Sequence, residues 1–469
     1  MLKLYKLNFF GFYLLISFIL ISLCESFPQN IYPYTYPYKD GIPFERFKER
    51  RQKIIKSMNQ NSALLVFSSD FTDCKQFLSG YHQSSDMYYL TGNVDSKSIL
   101  LLTFTPVEID GIPVNEIYFV KNQDSNSVKW TGLKLSSNDA EKILKIEKSF
   151  DLSRFESISS KALNNCDTLF VLLPNPSDHG GISGPPADAQ LQEIRKLSDI
   201  LPNLTIIYSF NDIKKLREIK DADEIRLMKK AIELSGKGII KAMEAAKSGM
   251  FEYQLQSIFE YVTKYGGCTG NAFEPIVGSG LTTCFMHYSR NNKKIDAGDM
   301  VIMDCGAGYG GYNADLTRTF PVSGKFTYEQ KIIYNIVLEA HDSAVADCMQ
   351  GNPFMKPHLT AMRVIKKRLS ELGLLKDEAD YKRYFPHGTS HYLGLETHDV
   401  GTYSELKPGV VITIEPGIYI PQGSPCDSKW WNIGVRIEDD VLITGGKPEI
   451  LSESPPKTIK EIEKIIGKK

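Results

Sequence analysis

The chain has 469 residues, of which 42% are hydrophobic and 24% charged, and its formal net charge is −1. A chain of this length exceeds one typical hydrophobic core, so two domains are expected. The balanced charge carries no signature of nucleic-acid or anionic-membrane binding. The eight cysteines are scattered without a C-x-x-C pair, which is not the pattern of a disulfide scaffold. Any function must therefore come from a localised site.

Residues 1–26 are predicted to form a secretory signal peptide. Lys3 and Lys6 make a basic start, and Phe9–Cys24 is an uncharged, mostly apolar run of 16 residues. The run is short for a membrane span, and an uncleaved membrane anchor is the alternative interpretation. The segment has no arginine, unlike a mitochondrial presequence. We therefore expect a secreted or lumenal protein without a membrane span after cleavage, in which the sequon at Asn203 is usable.

Residues 27–43, rich in tyrosine and proline, are predicted to be an extended lead-in, and residues 44–210 an α/β domain. Helices are predicted at 44–58 and 187–201, where apolar residues recur at helical spacing. Strands are predicted at 63–67, 87–91, 99–105, 117–120, 168–173 and 204–208. Strands that alternate with helices are typical of the α/β class.

Residues 211–469 are predicted to form a second domain, of α+β type. Amphipathic helices are expected at 222–247, 251–265 and 359–372. Thr327 and Gln330 form a capping box that opens another helix, which runs to about residue 350. The strands between these helices carry most of the unusual polar residues. The pattern predicts helices packed over a curved antiparallel sheet.

One glycine-rich hairpin, Val301–Phe320, places two aspartates together. An apolar run leads into Asp304, and residues 312–320 alternate polar and apolar side chains as a strand does. A turn at residues 309–310 would set Asp304 directly opposite Asp315, with their Cβ atoms about 5 Å apart. Two carboxylates that close repel each other unless a cation lies between them. The hairpin therefore predicts a divalent-metal site.

Two other interpretations of this hairpin are possible. Gly306, Gly308 and Gly311 spell the G-x-G-x-x-G of a dinucleotide site, but that motif should open a helix, and a second strand is predicted instead. The second alternative is a surface hairpin whose aspartates are solvated. The apolar residues before Asp304 argue for burial, but the hairpin alone does not decide between a metal site and a solvated surface hairpin.

Half of the eight histidines lie in three short motifs of the second domain. They are His287, His387, His391 and His398. His387 and His391 are four residues apart, yet the flanking proline and glycine argue against a helix, and no glutamate follows His387. This is not the H-E-x-x-H helix of a zinc protease. A lone histidine is more often structural, and it is the clustering that indicates a site.

Two further strands end in acidic residues. The apolar strand before Glu415 delivers it as the strand before Asp304 does, and Arg436 and Glu438 share one face of another strand. Four carboxylates and at least one histidine can thus line one concave sheet. Oxygen ligands with one imidazole favour Mn²⁺ or a similar ion over a thiolate zinc site. Bridging carboxylates would allow two metals.

These residues resemble a known family. Asp304, Asp315, His391, Glu415 and Glu438 match, in order and local context, the five metal ligands of the pita-bread metallopeptidases. The N-terminal half is similar to the aminopeptidase P and prolidase group of that family, through Ser84–Gly92 and Lys129–Gly132. Methionine aminopeptidase, another member, lacks this N-terminal domain.

The resemblance implies a role for each matched residue. Asp304 would chelate one metal, His391 and Glu415 the other, and Asp315 and Glu438 would bridge both. Glu415 would also accept a proton from the attacking water.

The same resemblance assigns the residues around the metals. His287 and His398 match the pair that contacts the substrate carbonyl and the tetrahedral intermediate, and His387 matches a histidine on the leaving-group side. Arg436 would brace the carboxylates from behind. Trp130, from the first domain, would contact the substrate.

The implied function is that of a dinuclear-metal exopeptidase that hydrolyses the Xaa-Pro bond and releases the N-terminal residue of peptides with proline second. Ser390, before the ligand His391, favours aminopeptidase P; prolidase, which cuts Xaa-Pro dipeptides, is the alternative. An inactive binding module would usually have lost ligands, and none is lost here. The expected cofactors are two divalent ions, with Mn²⁺ favoured. Peptides with proline at position two are the expected partners. The sequence does not decide between a monomer and a homo-oligomer.

Overall fold

The structure is a computed structural model that describes residues 40–69, 82–174 and 188–466. The predicted signal peptide and nearly all of the predicted lead-in lie outside the described residues. The described residues from Ile42 onwards belong to one compact unit, which spans both predicted domains. Among the described residues, none of the helices combines the length and the apolar character that crossing a bilayer requires.

A mixed six-stranded sheet organises the N-terminal half. Its strands are β1 Ser62–Phe67, β2 Ser98–Ile109, β3 Ile112–Val120, β4 Lys148–Asp151, β5 Thr168–Leu172 and β6 Thr205–Ile207. The spatial order is β4-β3-β2-β1-β5-β6, in which β2 runs antiparallel to β1 and β3 and the other pairs are parallel. Leu65, Leu101 and Phe119 are fully buried in its core. Such continuous apolar strands are typical of a sheet covered on both faces.

The helices of this half include one that contradicts the sequence prediction. They are α1 Phe44–Ser57, α2 Ser85–Thr91, α3 Ser125–Thr131, α4 Ser137–Ile143, α5 Phe155–Leu163 and α6 Asp188–Ile200. Residues 87–91 were predicted to be a strand and belong to helix α2. Ser84 caps its first turn by accepting a bond from the Met87 N–H, and Gly92 ends it in the left-handed conformation. The predicted helices at 44–58 and 187–201 are confirmed, whereas α3, α4, α5 and β4 were not predicted.

Six α-helices of the described residues, four of them with 14 residues or more, belong to the C-terminal half. They are α7 Asn211–Glu218, α8 Ala222–Ala245, α9 Glu252–Tyr265, α10 Tyr328–Ala346, α11 Lys356–Glu371 and α12 Ile459–Ile466. The predicted capping box of Thr327 and Gln330 opens α10, with each side chain bonded to the backbone N–H of the other. Helix α7 was not predicted, because it lies where only a boundary was expected.

Antiparallel strands form the sheets under these helices. They are β7 Gly270–Asn271, β8 Ile276–Ser279, β9 Met300–Cys305, β10 Ala307–Tyr309, β11 Tyr312–Asn313, β12 Leu316–Pro321, β13 Val411–Ile414, β14 Gly417–Ile420, β15 Ile433–Arg436, β16 Asp439–Leu442 and β17 Glu449–Ile450. Strand β9 lies between β8 and β12, β16 lies between β13 and β17, and β14 pairs with β15. The predicted combination of an α/β half and an α+β half is confirmed.

The hairpin of β9 and β12 has a different register from the predicted one. Asp304 lies opposite Thr317 rather than Asp315, because the turn is formed by Gly310 and Gly311, both with positive φ. The prediction was therefore wrong by two residues. Side chains on a strand alternate with a period of two, so a two-residue shift keeps Asp304 and Asp315 on one face. They are diagonal neighbours instead of opposed ones.

The glycine-rich turn packs against an aromatic side chain of the N-terminal half. The Tyr88 hydroxyl donates a hydrogen bond of 2.9 Å to the Gly310 carbonyl. A Cβ atom at Gly311 would lie 2.7 Å from the Tyr88 ring. The glycines therefore serve a tight turn and a close contact. Strand β12 rather than a helix follows them, which excludes the dinucleotide-binding motif.

Candidate metal centre and active site

Strand ends deliver four carboxylates to one place. Asp304 lies in β9, Asp315 directly precedes β12, Glu415 directly follows β13, and Glu438 lies between β15 and β16. The relative exposures of Asp304, Asp315 and Glu438 are 8%, 5% and 2%. Such burial excludes the alternative of a surface hairpin with solvated aspartates.

A histidine joins these carboxylates. Potential ligand atoms of Asp315, His391 and Glu438 all lie within 4.8 Å of one another. The His391 Nε2 atom is 3.4 Å from Asp315 Oδ2 and 3.7 Å from Glu415 Oε1. Four of the five predicted ligands thus converge around one point, a donor set that suits a divalent cation.

Arg436 connects the fifth predicted ligand to this group. Its Nη2 atom donates a hydrogen bond to Asp304 Oδ2, and its Nε atom lies 3.1 Å from Thr317 Oγ1. The Thr317 hydroxyl in turn donates a bond of 2.6 Å to Glu438 Oε2. The five residues Asp304, Asp315, His391, Glu415 and Glu438 therefore belong to one connected cluster, here called the carboxylate cluster.

The electrostatics of the carboxylate cluster favour the binding of a cation. Burial, and then the charge of Asp304, raises the pKa of Asp315 well above its ordinary value. Burial, and then the charge of Asp315, does the same to the pKa of Glu438, and burial raises the pKa of Glu415 to about 7. Oδ1 of both Asp304 and Asp315 is buried without a hydrogen-bond partner. Orphaned anionic oxygens are what a divalent cation would satisfy.

The other predicted histidines border the carboxylate cluster. The rings of His391 and His398 meet edge to face, with centroids 4.4 Å apart. His387 Nδ1 lies 3.7 Å from Glu415 Oε2. The pKa of His387 is lowered to about 3, first by burial and then by the charge of Arg436. Smaller effects, which include that of His287, add to this shift. The structure thus brings all four histidines of the sequence motifs together, and the side chains of His287 and His398 are exposed.

Most of the chain matches known metallopeptidases. The profile of Metallopeptidase family M24 matches residues 226–445, and that of the aminopeptidase P N-terminal domain matches residues 47–171. A Xaa-Pro aminopeptidase of Haemophilus influenzae is 32% identical over 92% of this chain and 99% of its own length. The chain belongs to metallopeptidase family M24.

Two further similar proteins agree with this assignment. An Arabidopsis thaliana protein named intermediate cleaving peptidase 55, mitochondrial, is 30% identical over 91% of this chain and 84% of its own. A variant of Escherichia coli aminopeptidase P, solved in complex with substrate, superposes with a TM-score of 0.81 at 30% identity, over 91% of this chain and 99% of that one. The protein is a metallo-aminopeptidase with the pita-bread fold.

One residue predicted for the active site, Trp130, lies in the N-terminal half. Trp130 is 82% exposed on helix α3 of the N-terminal half. Among the described residues, no hydrogen bond or ring contact joins it to the carboxylate cluster. Its exposure leaves the indole free to meet a ligand from solvent, and its predicted substrate contact stays a prediction.

Sequence reasoning missed two residues of the M24 site. Thr317 links Arg436 to Glu438, and Tyr419 accepts a bond of 2.7 Å from Arg436 Nη1 while its hydroxyl lies 2.8 Å from His387 Nε2. The period of two contained a signal for Thr317, since it follows Asp315 by two residues on the same strand face. No comparable signal marks Tyr419, which reaches the site through the pairing of β14 with β15.

Proposed function

We propose that this M24 enzyme hydrolyses the bond between an N-terminal residue and a proline in second position. The observation that carries the proposal is the convergence of Asp315, His391 and Glu438 within 4.8 Å in a chain that matches Xaa-Pro aminopeptidases over nearly its full length. The fold alone would not identify the substrate, because one fold hosts many functions.

Two divalent ions are the proposed cofactors. Asp304 would hold one and His391 with Glu415 the other, while Asp315 and Glu438 would bridge them. The orphaned oxygens of Asp304 and Asp315 support this assignment. When bound, such ions supply Lewis-acid polarisation of the scissile carbonyl and lower the pKa of a coordinated water.

The residues of the chain supply the proton transfers and the positioning. Glu415, at the end of β13 beside His391, is proposed to accept the proton of the attacking water. His287 and His398, exposed beside the carboxylate cluster, are proposed to donate hydrogen bonds to the carbonyl oxygen as charge develops on it. His387, held by the Tyr419 hydroxyl, would lie on the leaving-group side. Arg436 holds Asp304 in place through a charge-assisted hydrogen bond.

Proline at position two sets the chemistry that the site must recognise. Its bond to the first residue is a tertiary amide without an N–H, so recognition by a backbone donor at proline is absent. Trp130 is proposed to contact the substrate beyond the metal centre. Ser390 before the ligand His391 favours an aminopeptidase over prolidase.

A comparison of two peptides tests the substrate proposal. The purified enzyme loaded with Mn²⁺ should release the N-terminal residue of Arg-Pro-Pro faster than it hydrolyses Gly-Pro. Liberated amino acids are measured by chromatography. Cleavage of Gly-Pro with an intact tripeptide would identify a prolidase, and no cleavage of either by a metal-loaded protein would indicate an inactive module.

Mn²⁺ is the proposed metal, because the carboxylate cluster offers mainly carboxylate oxygens and only one imidazole. The metal-free protein, reconstituted separately with Mn²⁺, Zn²⁺, Co²⁺ and Mg²⁺, should show its highest turnover of the tripeptide with Mn²⁺. A higher turnover with Zn²⁺ at equal metal content would reject this choice.

We also propose that the chain enters the secretory pathway. The support is the apolar run that follows Lys3 and Lys6, and Asn203 is exposed in the turn between α6 and β6, where a glycan could be attached. Expression in a eukaryotic host should give a product that lacks about two dozen N-terminal residues, with an Asn203 glycan that mass spectrometry detects. A cytosolic product with Met1 intact would refute the proposal. The same preparation tests self-association by light scattering.

A further inference from the structure

A buried carboxylate lies behind the chain segment that carries His287. Glu252, the first residue of α9, is 0% exposed. Its Oε1 atom is 2.8 Å from the Ser279 hydroxyl and 2.7 Å from the Thr282 hydroxyl. Both hydroxyls belong to the chain before His287, at the end of β8 and in the 3₁₀ turn Gly280–Cys284. One oxygen of Glu252 thus anchors the incoming side of this segment.

The other oxygen of Glu252 anchors the outgoing side. Its Oε2 atom accepts a hydrogen bond of 2.9 Å from the Tyr288 hydroxyl and one of 2.8 Å from the Lys293 backbone N–H. The Glu252 N–H also donates to the Lys293 carbonyl at 3.1 Å. Tyr288 is the residue that follows His287, so this anchor lies one residue from the histidine.

A carboxylate is the suitable group at this point of the fold. Two hydroxyls, a phenol and a backbone amide all point donors at the Glu252 carboxylate, and hydrogen bonds to an ionised acceptor are about twice as strong as neutral ones. The position at the N-terminus of α9 further favours negative charge. An amide of the same size would present an NH₂ group to donors that include a backbone N–H, which cannot reverse its role.

The segment between the two anchors is irregular, and Asn291 within it is a third fixed point, since its side-chain amide donates 2.8 Å hydrogen bonds to Gln256 Oε1 and to the Pro275 carbonyl. Residues 285–293 contain no helix or strand, and His287 is exposed. The direction of an exposed side chain on irregular backbone depends on where that backbone is fixed. Here the anchor before His287 and the nearest anchor after it, at Tyr288, meet at a single buried side chain, that of Glu252.

We propose that Glu252 is a positioning residue that aims His287 at the substrate carbonyl. The proposal rests on the proposed function, in which His287 contacts the substrate. Glu252 does not touch the metal ligands, so its loss should leave metal content unchanged. A geometric error in a group that stabilises the transition state lowers kcat more than it raises KM.

A double-mutant cycle on the Mn²⁺-loaded full chain tests this proposal. Glu252→Gln should lower kcat/KM for Arg-Pro-Pro by about tenfold or more in the wild-type background, but by less than about twofold in the His287→Ala background. Glu116→Gln is the matched control, because Glu116 is also buried and paired, with Arg51 Nε at 3.0 Å in the N-terminal half. This control should change kcat/KM by less than about twofold in both backgrounds, whatever its effect on thermal stability.

Three results would overturn the proposal. The first is that Glu252→Gln lowers kcat/KM by the same factor in both backgrounds, and the second is that it leaves kcat/KM of the otherwise wild-type enzyme unchanged. The third is that the loss of kcat/KM in Glu252→Gln is accounted for by a reduced metal content. If Glu252→Gln does not fold, Tyr288→Phe takes its place in the cycle, since it removes one donor from the same carboxylate. The same coupling to His287→Ala is then required. A wild-type enzyme that cleaves no Xaa-Pro peptide would instead reject the proposed function.

Discussion

At the scale of single residues, Asp315 is a carboxylate whose ionised form is disfavoured by burial and by neighbouring negative charge. It lies 3.4 Å from His391 Nε2, and its pKa is raised first by burial and then by the charge of Asp304. Asp315→Asn should therefore lower metal content and turnover together, because an amide neither neutralises nor bridges two cations well. We expect a loss of more than about 100-fold in kcat/KM, measured with elemental analysis of the same samples. Two bound metals with near-normal turnover would contradict the dinuclear assignment.

Arg436 permits a second test at this scale. Its guanidinium contacts Asp304, Thr317 and Tyr419 at the same time, and a lysine ammonium cannot reproduce a planar three-way contact. Arg436→Lys should lower kcat/KM by about 10- to 100-fold although the charge is kept. The control is Arg368→Lys, whose parent side chain lies on the surface beside Glu339. Equal activity of the two variants would show that charge alone is what the site needs.

The sequence contained much of the information about individual site residues. Apolar runs before Asp304 and Glu415 indicated burial, and both residues end up in or directly after a buried strand. The contact of Arg436 with Asp304 could not be predicted, because it joins strands 132 residues apart in the chain. Periodicity tells which face a side chain occupies and not which distant strand faces it.

At the scale of secondary-structure elements, helix α7 ends in a buried charge network. Arg217 lies 2.7 Å from Asp86 of α2, and 2.8 Å and 2.6 Å from Glu396 and Asp399, which flank His398. Its exposure is only 3%. The network therefore ties an N-terminal helix to the loop that carries a predicted substrate-contacting histidine.

Removal of the cation from this network should be costly. Arg217→Gln leaves Glu396 and Asp399 buried with less positive charge beside them, and loss of one partner of a buried ion pair typically costs about 3–5 kcal/mol. Chemical denaturation measures the free energy of unfolding. Arg46→Gln, which removes an exposed partner of Glu49, serves as the control and should change nothing measurable. A loss below about 1 kcal/mol for Arg217→Gln would show that the network is not a structural tie.

The errors of the sequence prediction also belong to this scale. Helix α2 was taken for a strand because every one of its residues from Ser85 to Thr91, except Asp86, is buried, and burial all round removes the helical periodicity. Its signals were the cap at Ser84 and the glycine at position 92. The hairpin register was wrong because the two glycines with positive φ form the turn one residue further along the chain.

At the scale of the whole molecule, folding and metal binding should be linked through the carboxylates. The folded-state pKa of Glu415, about 7, lies above its ordinary value of 4.5. Its contribution to the stability of the metal-free protein is thus fully present below pH 4.5 and is lost as the pH rises through about 7. The metal-free protein should be less stable at pH 8 than at pH 5, and Mn²⁺ should raise the melting temperature more at pH 8.

Calorimetry of the chelated and the reloaded protein at both pH values checks this expectation. A matched pair of scans at each pH separates the effect of the metal from the general pH dependence. An equal rise in melting temperature at pH 5 and pH 8 would contradict the link between Glu415 and the cation.

The packing of Tyr88 against the Gly310–Gly311 turn has a consequence for protein engineering. The turn between β10 and β11, which follows the strand of Asp304, is shaped around a side chain from the other half, and Asp86 on the same helix holds Arg217. A chimaera that combined this catalytic half with the N-terminal half of a relative would need an acid and an aromatic ring in those two places. Domain shuffling within the family is therefore constrained by one short helix, α2, whose sequence must be kept together with the catalytic half that it contacts.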